Sequence, residues 1–216
     1  MNRKRFPARV VLLDWDGTLL NSYAADQRAY LAMFRVLGIE WDTREIDRHY
    51  SPDWHRVYRA ARIPRLQWKR ADRLWRDAYR AERPPLLTGA RTALRILARR
   101  FQLAIVTAGS RSRVRQQLRY FGLRDRFAAC VFSEDTAHKK PHPAPLELAL
   151  KRLRAKPEDC VYVGDAPADI EMARRAGVRA IGVLGPFPSS ALIRGAQPDL
   201  LLRSVRELPR YLLRAD

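Results

Sequence analysis

Paired carboxylates near the N-terminus are the side chains best suited to chemistry. Asp14 and Asp16 directly follow the apolar run Val10–Leu13 and precede Gly17 and Thr18. Such a run is typical of a buried parallel strand, and ligands bind beyond the carboxyl ends of such strands. A turn at Gly17 lets both carboxylates border one site, where one can attack while the other moves a proton. Taken alone, the pattern is more often an Asx-type turn that closes a strand.

A hydroxyl and a small-residue loop follow a second apolar run. Thr107 and Ala108 come after residues 103–106 and before a predicted helix. Backbone N–H groups and the helix dipole favour an anion at such a position, so we predict a phosphate site there. N-capping of the helix by Ser110 or Ser112 is an equally good interpretation of the same segment.

Further charged residues follow two more strands. Lys140, next to Lys139, precedes a proline and can hold an anion as a point charge, although such a segment alone is more often a surface loop. Asp165 and Asp169 follow residues 160–163, where a single Asp usually caps a helix. Together the strand ends bring carboxylates, a hydroxyl and an ammonium group to one edge of the sheet. Hard oxygen ligands without a Cys or His cluster favour Mg²⁺, which would offset repulsion between the acids and a phosphoryl group.

The elements that position these residues alternate after Pro85. The pattern predicts strands over 10–13, 103–106, 130–132, 160–163 and 180–183, and helices over 113–121, 144–153 and 170–176. This alternation implies right-handed crossovers and a doubly wound parallel sheet of the α/β class. Residues 24–83 are instead helical in pattern and rich in aromatics, which predicts an insertion of about four helices.

Composition limits the classes of function. The chain has 216 residues, 47% of them hydrophobic, and a net charge of +19 from 42 basic and 23 acidic residues. The basic residues are spread along the chain without a zinc-finger, RNP or basic-zipper pattern, so we expect a phosphorylated small molecule as partner, not nucleic acid. Cys130 and Cys160 are expected to be buried free thiols. Without an apolar run of about 18 residues or a signal-peptide pattern, the sequence predicts no membrane association and a cytoplasmic protein.

The ordered motifs resemble those of the haloacid dehalogenase-like hydrolase superfamily over almost the whole chain. In chain order they are Asp14-Trp15-Asp16-Gly17-Thr18, Thr107, Lys140-Pro141-His142-Pro143, and Gly164-Asp165 with Asp169. The helical insertion looks like the bundle-type cap of the phosphoglycolate phosphatase-like branch. The resemblance implies a Rossmann-like core of residues 1–22 and 85–216 with an inserted all-helical cap domain of residues 23–84.

The resemblance also implies a two-step phosphoryl transfer. Asp14 would be the nucleophile that forms an aspartyl-phosphate. Asp16 would protonate the leaving oxygen and then activate water. Lys140 would neutralise the nucleophile and the phosphate, while Thr107 and the Ala108 backbone would bind phosphoryl oxygens.

A Mg²⁺ ion is implied as cofactor. Its ligands would be a carboxylate oxygen of Asp14, the backbone carbonyl of Asp16, and Asp165, whereas Asp169 would orient Lys140 or a metal-bound water. The presence of Asp16 argues against a true dehalogenase, which attacks carbon and needs no leaving-group acid. Relatives commonly carry Asp-Ser where this chain has Asn21-Ser22, a change that we expect to leave the chemistry intact.

The predicted function is Mg²⁺-dependent hydrolysis of a small phosphomonoester, such as phosphoglycolate or a sugar phosphate. Selectivity is expected from the insertion, where the polar and aromatic segment 49–56 is either a specificity loop or an interhelical turn. Its candidate substrate contacts are His49, Tyr50, Trp54 and Arg56. A sugar-phosphate mutase on the same core and a non-enzymatic, basic polyanion-binding protein are the alternatives.

Overall fold

A parallel sheet forms the centre of the protein. The computed structural model describes residues 8–51 and 53–213. Within them the strands lie in the order β3-β2-β1-β4-β5-β6, and every neighbouring pair is parallel. They are β1 (Val10–Leu13), β2 (Gln102–Val106), β3 (Ala129–Val131), β4 (Cys160–Gly164), β5 (Arg179–Val183) and β6 (Leu200–Leu202). This topology confirms the predicted doubly wound sheet.

Four helices follow β1 in the chain and form the inserted segment. They are α1 (Tyr23–Val36), α2 (Thr43–His49), α3 (Trp54–Ala60) and α4 (Trp68–Tyr79), hereafter the cap. Their apolar faces form a separate cluster around Phe34, Ile46 and Tyr58. The all-helical insertion is thereby confirmed, and the exact boundaries of a domain over 23–84 stay a prediction.

The remaining helices cover both faces of the sheet. They are α5 (Ala90–Leu97), α6 (Arg111–Tyr120), α7 (Ala144–Leu153), α8 (Pro167–Arg175) and α9 (Leu208–Leu212). Successive side chains of a strand point to opposite faces. Accordingly Val11 and Leu13 belong to one buried cluster, and Val10 and Leu12 belong to the other.

The register of β1 brings the strand ends together. Leu13 pairs with Ile105 of β2 and with Val163 of β4, and the N–H of Asp14 donates to the Val163 carbonyl over 2.9 Å. Residues just beyond these three strands therefore share one edge of the sheet. No helix among the described residues is both long enough and apolar enough to cross a bilayer.

Several element ends differ from the sequence-based expectations. Helices α6 and α8 begin at Arg111 and Pro167, two and three residues before the predicted starts, because apolar spacing marks only core-facing positions. Strand β6 was not predicted, because three residues are too few to show a hydrophobic pattern that is typical of a strand. Cys160 is buried as expected, but Cys130 is partly exposed because β3 is an edge strand.

Candidate active site

The turn after β1 brings Asp14 and Asp16 to one cavity, as the glycine suggested. Gly17 has φ +78, in the left-handed region that glycine adopts readily. A Cβ at this position would lie 2.3 Å from Oδ2 of Asp165. The turn therefore requires glycine both for its backbone conformation and for the approach of the Asp165 carboxylate.

Lys140 lies at the centre of a buried hydrogen-bond network. Its Nζ donates to Oδ1 of Asp14 over 2.7 Å, to Oδ1 of Asp169 over 2.8 Å and to the Tyr162 hydroxyl over 2.7 Å. An ammonium group has three N–H donors, so these acceptors match its capacity. Lys139 instead donates to backbone carbonyls of the loop that precedes it. Of the two lysines, Lys140 is the one that reaches the strand ends.

Three carboxylates lie together beside this ammonium group. Oxygens of Asp14, Asp165 and Asp169 lie within 4.8 Å of one another, and all three side chains are buried. The Thr18 hydroxyl donates to Oδ1 of Asp165 over 3.0 Å, and the Ala166 N–H donates to Oδ2 of Asp169 over 3.1 Å. One ammonium group thus faces three acids, so the cluster retains an excess of negative charge.

The pKa values of two of these acids are shifted, mainly by burial. Burial raises the pKa of Asp14 to about 7 and outweighs the attraction of the Lys140 charge. Burial also raises the pKa of Asp165 well above its ordinary value, reinforced by the charges of Asp169 and Asp14. A group of buried carboxylate oxygens with uncompensated charge suits a hard divalent cation. The donor set therefore fits the metal site that the sequence suggested.

The loop after β2 places Thr107 and Ala108 on the same cavity. The Thr107 oxygen accepts from the N–H of Gly109 over 3.0 Å, which leaves the hydroxyl proton free to donate. Ser110 occupies the N-cap position of α6, but its side chain makes no capping hydrogen bond. The Glu134 carboxylate accepts from the first helical N–H, that of Arg111, over 3.0 and 3.1 Å.

Asp16 is bound by Arg113, which the sequence analysis did not identify. Nη1 and Nη2 of Arg113 donate to the two carboxylate oxygens over 2.8 and 2.6 Å. Burial alone would raise the pKa of Asp16, but the charge and hydrogen bonds of Arg113 outweigh it and lower the pKa. The guanidinium also lies 5.1 Å from the Tyr79 ring centroid and 5.9 Å from that of Trp75, both on α4. Arg113 therefore links the strand-end carboxylates to the cap.

Gly109 makes room for this pairing. A Cβ on Gly109 would lie 2.5 Å from Nη2 of Arg113 and 2.7 Å from a methyl group of Val114. No sequence signal singled out Arg113, because the chain has 42 basic residues and its partner is 97 positions away.

A cavity of about 270 Å³, hereafter the chamber, lies between the strand ends and the cap. Of the predicted substrate contacts, Tyr50 and Trp54 line it. His49 lies outside the lining and stacks on Trp41 with ring centroids 5.1 Å apart. Arg56 is exposed and also lies outside the lining. Pro52, within the predicted loop, lies outside the described residues.

A carboxylate of α1, that of Asp26, also lines the chamber and was missed. Its side chain is buried, and burial together with the charge of Asp16 raises its pKa to about 7. The positive charge of Arg113 and hydrogen bonds from the side chains of Tyr50 and Trp75 oppose that rise. The available signal was its spacing, since Asp26 shares the buried face of α1 with Ala29 and Tyr30.

Comparison with known proteins decides the family. The family model described as "Haloacid dehalogenase-like hydrolase" matches residues 11–183. The chain belongs to the haloacid dehalogenase-like hydrolases. The match includes every strand end that lines the site, and it confirms the predicted superfamily and a hydrolase.

Relatives of these hydrolases match nearly the whole chain. The pyrophosphatase PpaX of Oceanobacillus iheyensis is 24% identical over 93% of this chain and 94% of its own. The validoxylamine A 7'-phosphate phosphatase of Streptomyces hygroscopicus subsp. limoneus is 28% identical over 93% of this chain and 95% of its own. A solved structure of a predicted phosphoglycolate phosphatase from Haemophilus somnus 129PT superposes with a TM-score of 0.85 at 20% identity, covering 94% of this chain and 97% of that one. The last likeness is one of fold.

Proposed function

We propose that this haloacid dehalogenase-like hydrolase is a Mg²⁺-dependent phosphatase that cleaves small phosphomonoesters through an aspartyl-phosphate on Asp14. The observation that carries the proposal is the buried contact of Lys140 Nζ with Asp14 Oδ1 over 2.7 Å, beside two further carboxylates at the strand ends. Full-length relatives named as phosphatases and pyrophosphatases support the same class of reaction.

Asp14 is the proposed nucleophile. Lys140 holds one of its oxygens, which fixes the carboxylate at the end of β1 while the cavity gives access to it. In the first step, an Asp14 oxygen bonds to phosphorus as the bond between phosphorus and the leaving oxygen breaks. The Thr107 hydroxyl and the Ala108 backbone border the cavity, where they would donate to phosphoryl oxygens.

Asp16 is the proposed acid and base. It donates a proton to the leaving oxygen in the first step and accepts one from the attacking water in the second. The ion pair with Arg113 favours the ionised carboxylate, which is the form that activates water. The described arrangement therefore suits the hydrolytic half of the reaction.

The carboxylates of Asp14 and Asp165 and the backbone carbonyl of Asp16 are the proposed Mg²⁺ ligands. When bound, the ion would offset repulsion between the anionic nucleophile and the phosphoryl group. Asp169 accepts from Lys140 over 2.8 Å, so its proposed role is to orient that ammonium group. Thr18 holds the Asp165 carboxylate in a fixed orientation by its 3.0 Å hydrogen bond.

The decisive experiment measures phosphate release from a panel of phosphomonoesters. We expect Mg²⁺-dependent turnover that EDTA abolishes and added Mg²⁺ restores, and that falls by about 10⁴-fold or more in Asp14→Asn. Asp77→Asn, on an exposed position of α4, is the matched control and should keep full activity.

Two results would contradict the proposal. Turnover that survives Asp14→Asn would exclude this nucleophile, and failure to release phosphate from any member of the panel would exclude a phosphatase. Phosphate release without an added bisphosphate activator would exclude the mutase alternative.

A further inference from the structure

Both oxygens of the Asp16 carboxylate are held by one side chain. Nη1 of Arg113 lies 2.8 Å from Oδ1 of Asp16, and Nη2 lies 2.6 Å from Oδ2. Among the described residues, Arg113 is the one ion-pair partner of Asp16. A bidentate contact of this kind fixes the direction of a carboxylate as well as its distance. The orientation of Asp16 therefore depends on where the Arg113 guanidinium is held.

The guanidinium of Arg113 is itself fixed from three directions. On α6, Oε1 of Gln117 accepts from Nη1 of Arg113 over 3.4 Å and from the indole N–H of Trp15 over 2.8 Å. On the side of the cap, the ring centroid of Tyr79 lies 5.1 Å from the guanidinium carbon. On the side of the loop after β2, Gly109 leaves room for Nη2, from which a Cβ would be only 2.5 Å away. A cation held in this way can keep its partner in one orientation.

This contact leaves Asp16 able to exchange a proton. A carboxylate has about four lone-pair sites, and the two N–H groups of Arg113 occupy one on each oxygen. The Asp16 side chain is 21% exposed and lines the chamber, so its remaining lone pairs are accessible. In the proposed reaction Asp16 acts in both steps. A loss of its orientation would therefore slow both of them.

We infer that Arg113 is a positioning residue of the proposed phosphatase, and this inference rests on that proposed function. It holds the Asp16 carboxylate where it donates a proton to the leaving oxygen and later accepts one from water. In that later step the water oxygen bonds to phosphorus and its proton passes to Asp16. The bond between phosphorus and the Asp14 oxygen breaks, and its electron pair stays on Asp14. Arg113 exchanges no proton in either step, so it acts through Asp16.

Two kinds of leaving group separate the two steps experimentally. p-Nitrophenolate leaves without a proton, so p-nitrophenyl phosphate can form the aspartyl-phosphate without an acid. An alkyl phosphomonoester needs the proton from Asp16, because an alkoxide is a poor leaving group. Hydrolysis of the aspartyl-phosphate needs Asp16 as a base with either ester. A positioning residue for Asp16 therefore predicts a pattern that a general loss of structure does not give.

The test uses Arg113→Gln and Arg113→Lys. Lysine retains the charge but lacks the planar fork that contacts both oxygens of Asp16. With p-nitrophenyl phosphate, both variants should hydrolyse the aspartyl-phosphate about 10²-fold more slowly. A burst of about one equivalent of p-nitrophenol should then precede turnover, with kcat and KM lowered together and kcat/KM changed by less than about threefold. Acid-quenched protein should carry an added phosphoryl group in its intact mass.

The alkyl phosphomonoester is the member of the panel with the highest kcat/KM for the wild type. Its kcat/KM should fall by about 10²-fold in both Arg113 variants, because the first step now lacks an oriented acid. Arg115→Gln is the matched control, since Arg115 is an exposed arginine of the same helix and lies outside the chamber lining. It should match the wild type with both esters. Urea denaturation of each variant ensures that the rates belong to folded protein.

The outcomes separate this inference from the function on which it rests. No phosphate release by the wild type from any ester overturns the phosphatase proposal, and the inference falls with it. Wild-type turnover with folded Arg113 variants that show no burst and lose kcat/KM equally for both esters overturns the inference alone. Unchanged or faster turnover in these variants overturns it too. A burst in both variants, with kcat/KM lowered for the alkyl ester and not for the aryl ester, supports it.

Discussion

At the strand ends, Lys140 donates to three acceptors and Thr18 holds Asp165, whereas in the chamber Nε1 of Trp54 and Nε of Arg113 have no hydrogen-bond partner among the described residues. The first region is closed on itself and fixed before any ligand binds. The second leaves its donors available and places aromatic faces around them. The contrast separates two tasks, because a phosphoryl group is the same in every substrate and a leaving group is not.

The largest expected effect on stability comes from removing Lys140 from the hydrogen-bond network at the strand ends. Lys140→Met removes the only ammonium group that contacts Asp14 and Asp169 among the described residues. Leaving buried carboxylates without their cation should lower the free energy of unfolding by about 3–5 kcal/mol, measured by urea denaturation. Lys139→Met, which removes hydrogen bonds to neutral carbonyls only, should cost about 1–3 kcal/mol. If Lys140→Met and Lys139→Met lowered the free energy of unfolding equally, the strand-end network would not be the more tightly fixed region.

Asp26 tests the chamber through the pH dependence of stability. Its pKa is about 7 in the folded protein against an ordinary value of 3.8, so the folded state binds the extra proton between these values. The resulting stabilisation is present at low pH and is lost as the pH rises through 7, by up to about 4 kcal/mol. The difference in unfolding free energy between the wild type and Asp26→Asn should change accordingly from pH 4 to pH 8. A difference that is flat with pH would show that Asp26 is not held in this environment.

Gly109 tests the link between the two regions. In Gly109→Ala the new methyl group overlaps Nη2 of Arg113 and the Val114 side chain, so unfolding should require about 1–3 kcal/mol less. Gly195→Ala is the control, because a Cβ there meets nothing within 4 Å. Its stability should change by no more than about 0.5 kcal/mol. A Gly109→Ala protein as stable as this control would mean that Arg113 can move aside freely.

The smallest effect is expected at the outer surface of the cap. Arg28 on α1 pairs with Glu82, and the Arg28 side chain is 59% exposed. Exposed ion pairs contribute little, so Glu82→Gln should lower the unfolding free energy by less than about 1 kcal/mol. The effect should also vanish in 1 M salt, which screens exposed charges. A loss similar to that of Lys140→Met would remove the distinction between buried and exposed pairs.

The sequence predicted the strand-end region more completely than the chamber. Asp14, Thr107, Lys140 and Asp165 each follow a strand, and a parallel sheet brings such positions together whatever the details of its helices. The arrangement was therefore available from periodicity and order alone. The same argument fails for β6, because a run of three residues is too short to show the hydrophobic pattern of a strand.

The chamber depends on the angular position of side chains on helices, which composition does not reveal. His49 and Arg56 are polar residues of the expected segment, yet neither lines the cavity. Arg113 pairs across 97 positions with a carboxylate of another element, and nothing local distinguishes it from other arginines. Asp26 could have been found, since a carboxylate on the apolar face of an amphipathic helix requires a reason.

The position of Arg113 has a consequence for the medium around the Asp16 carboxylate. The guanidinium that pairs with Asp16 is covered by Trp75 and Tyr79, which belong to α4 of the cap. An ion pair strengthens as water is excluded and weakens when solvent and salt reach it. The local dielectric constant at Asp16 therefore depends on whether α4 of the cap packs against the Arg113 guanidinium.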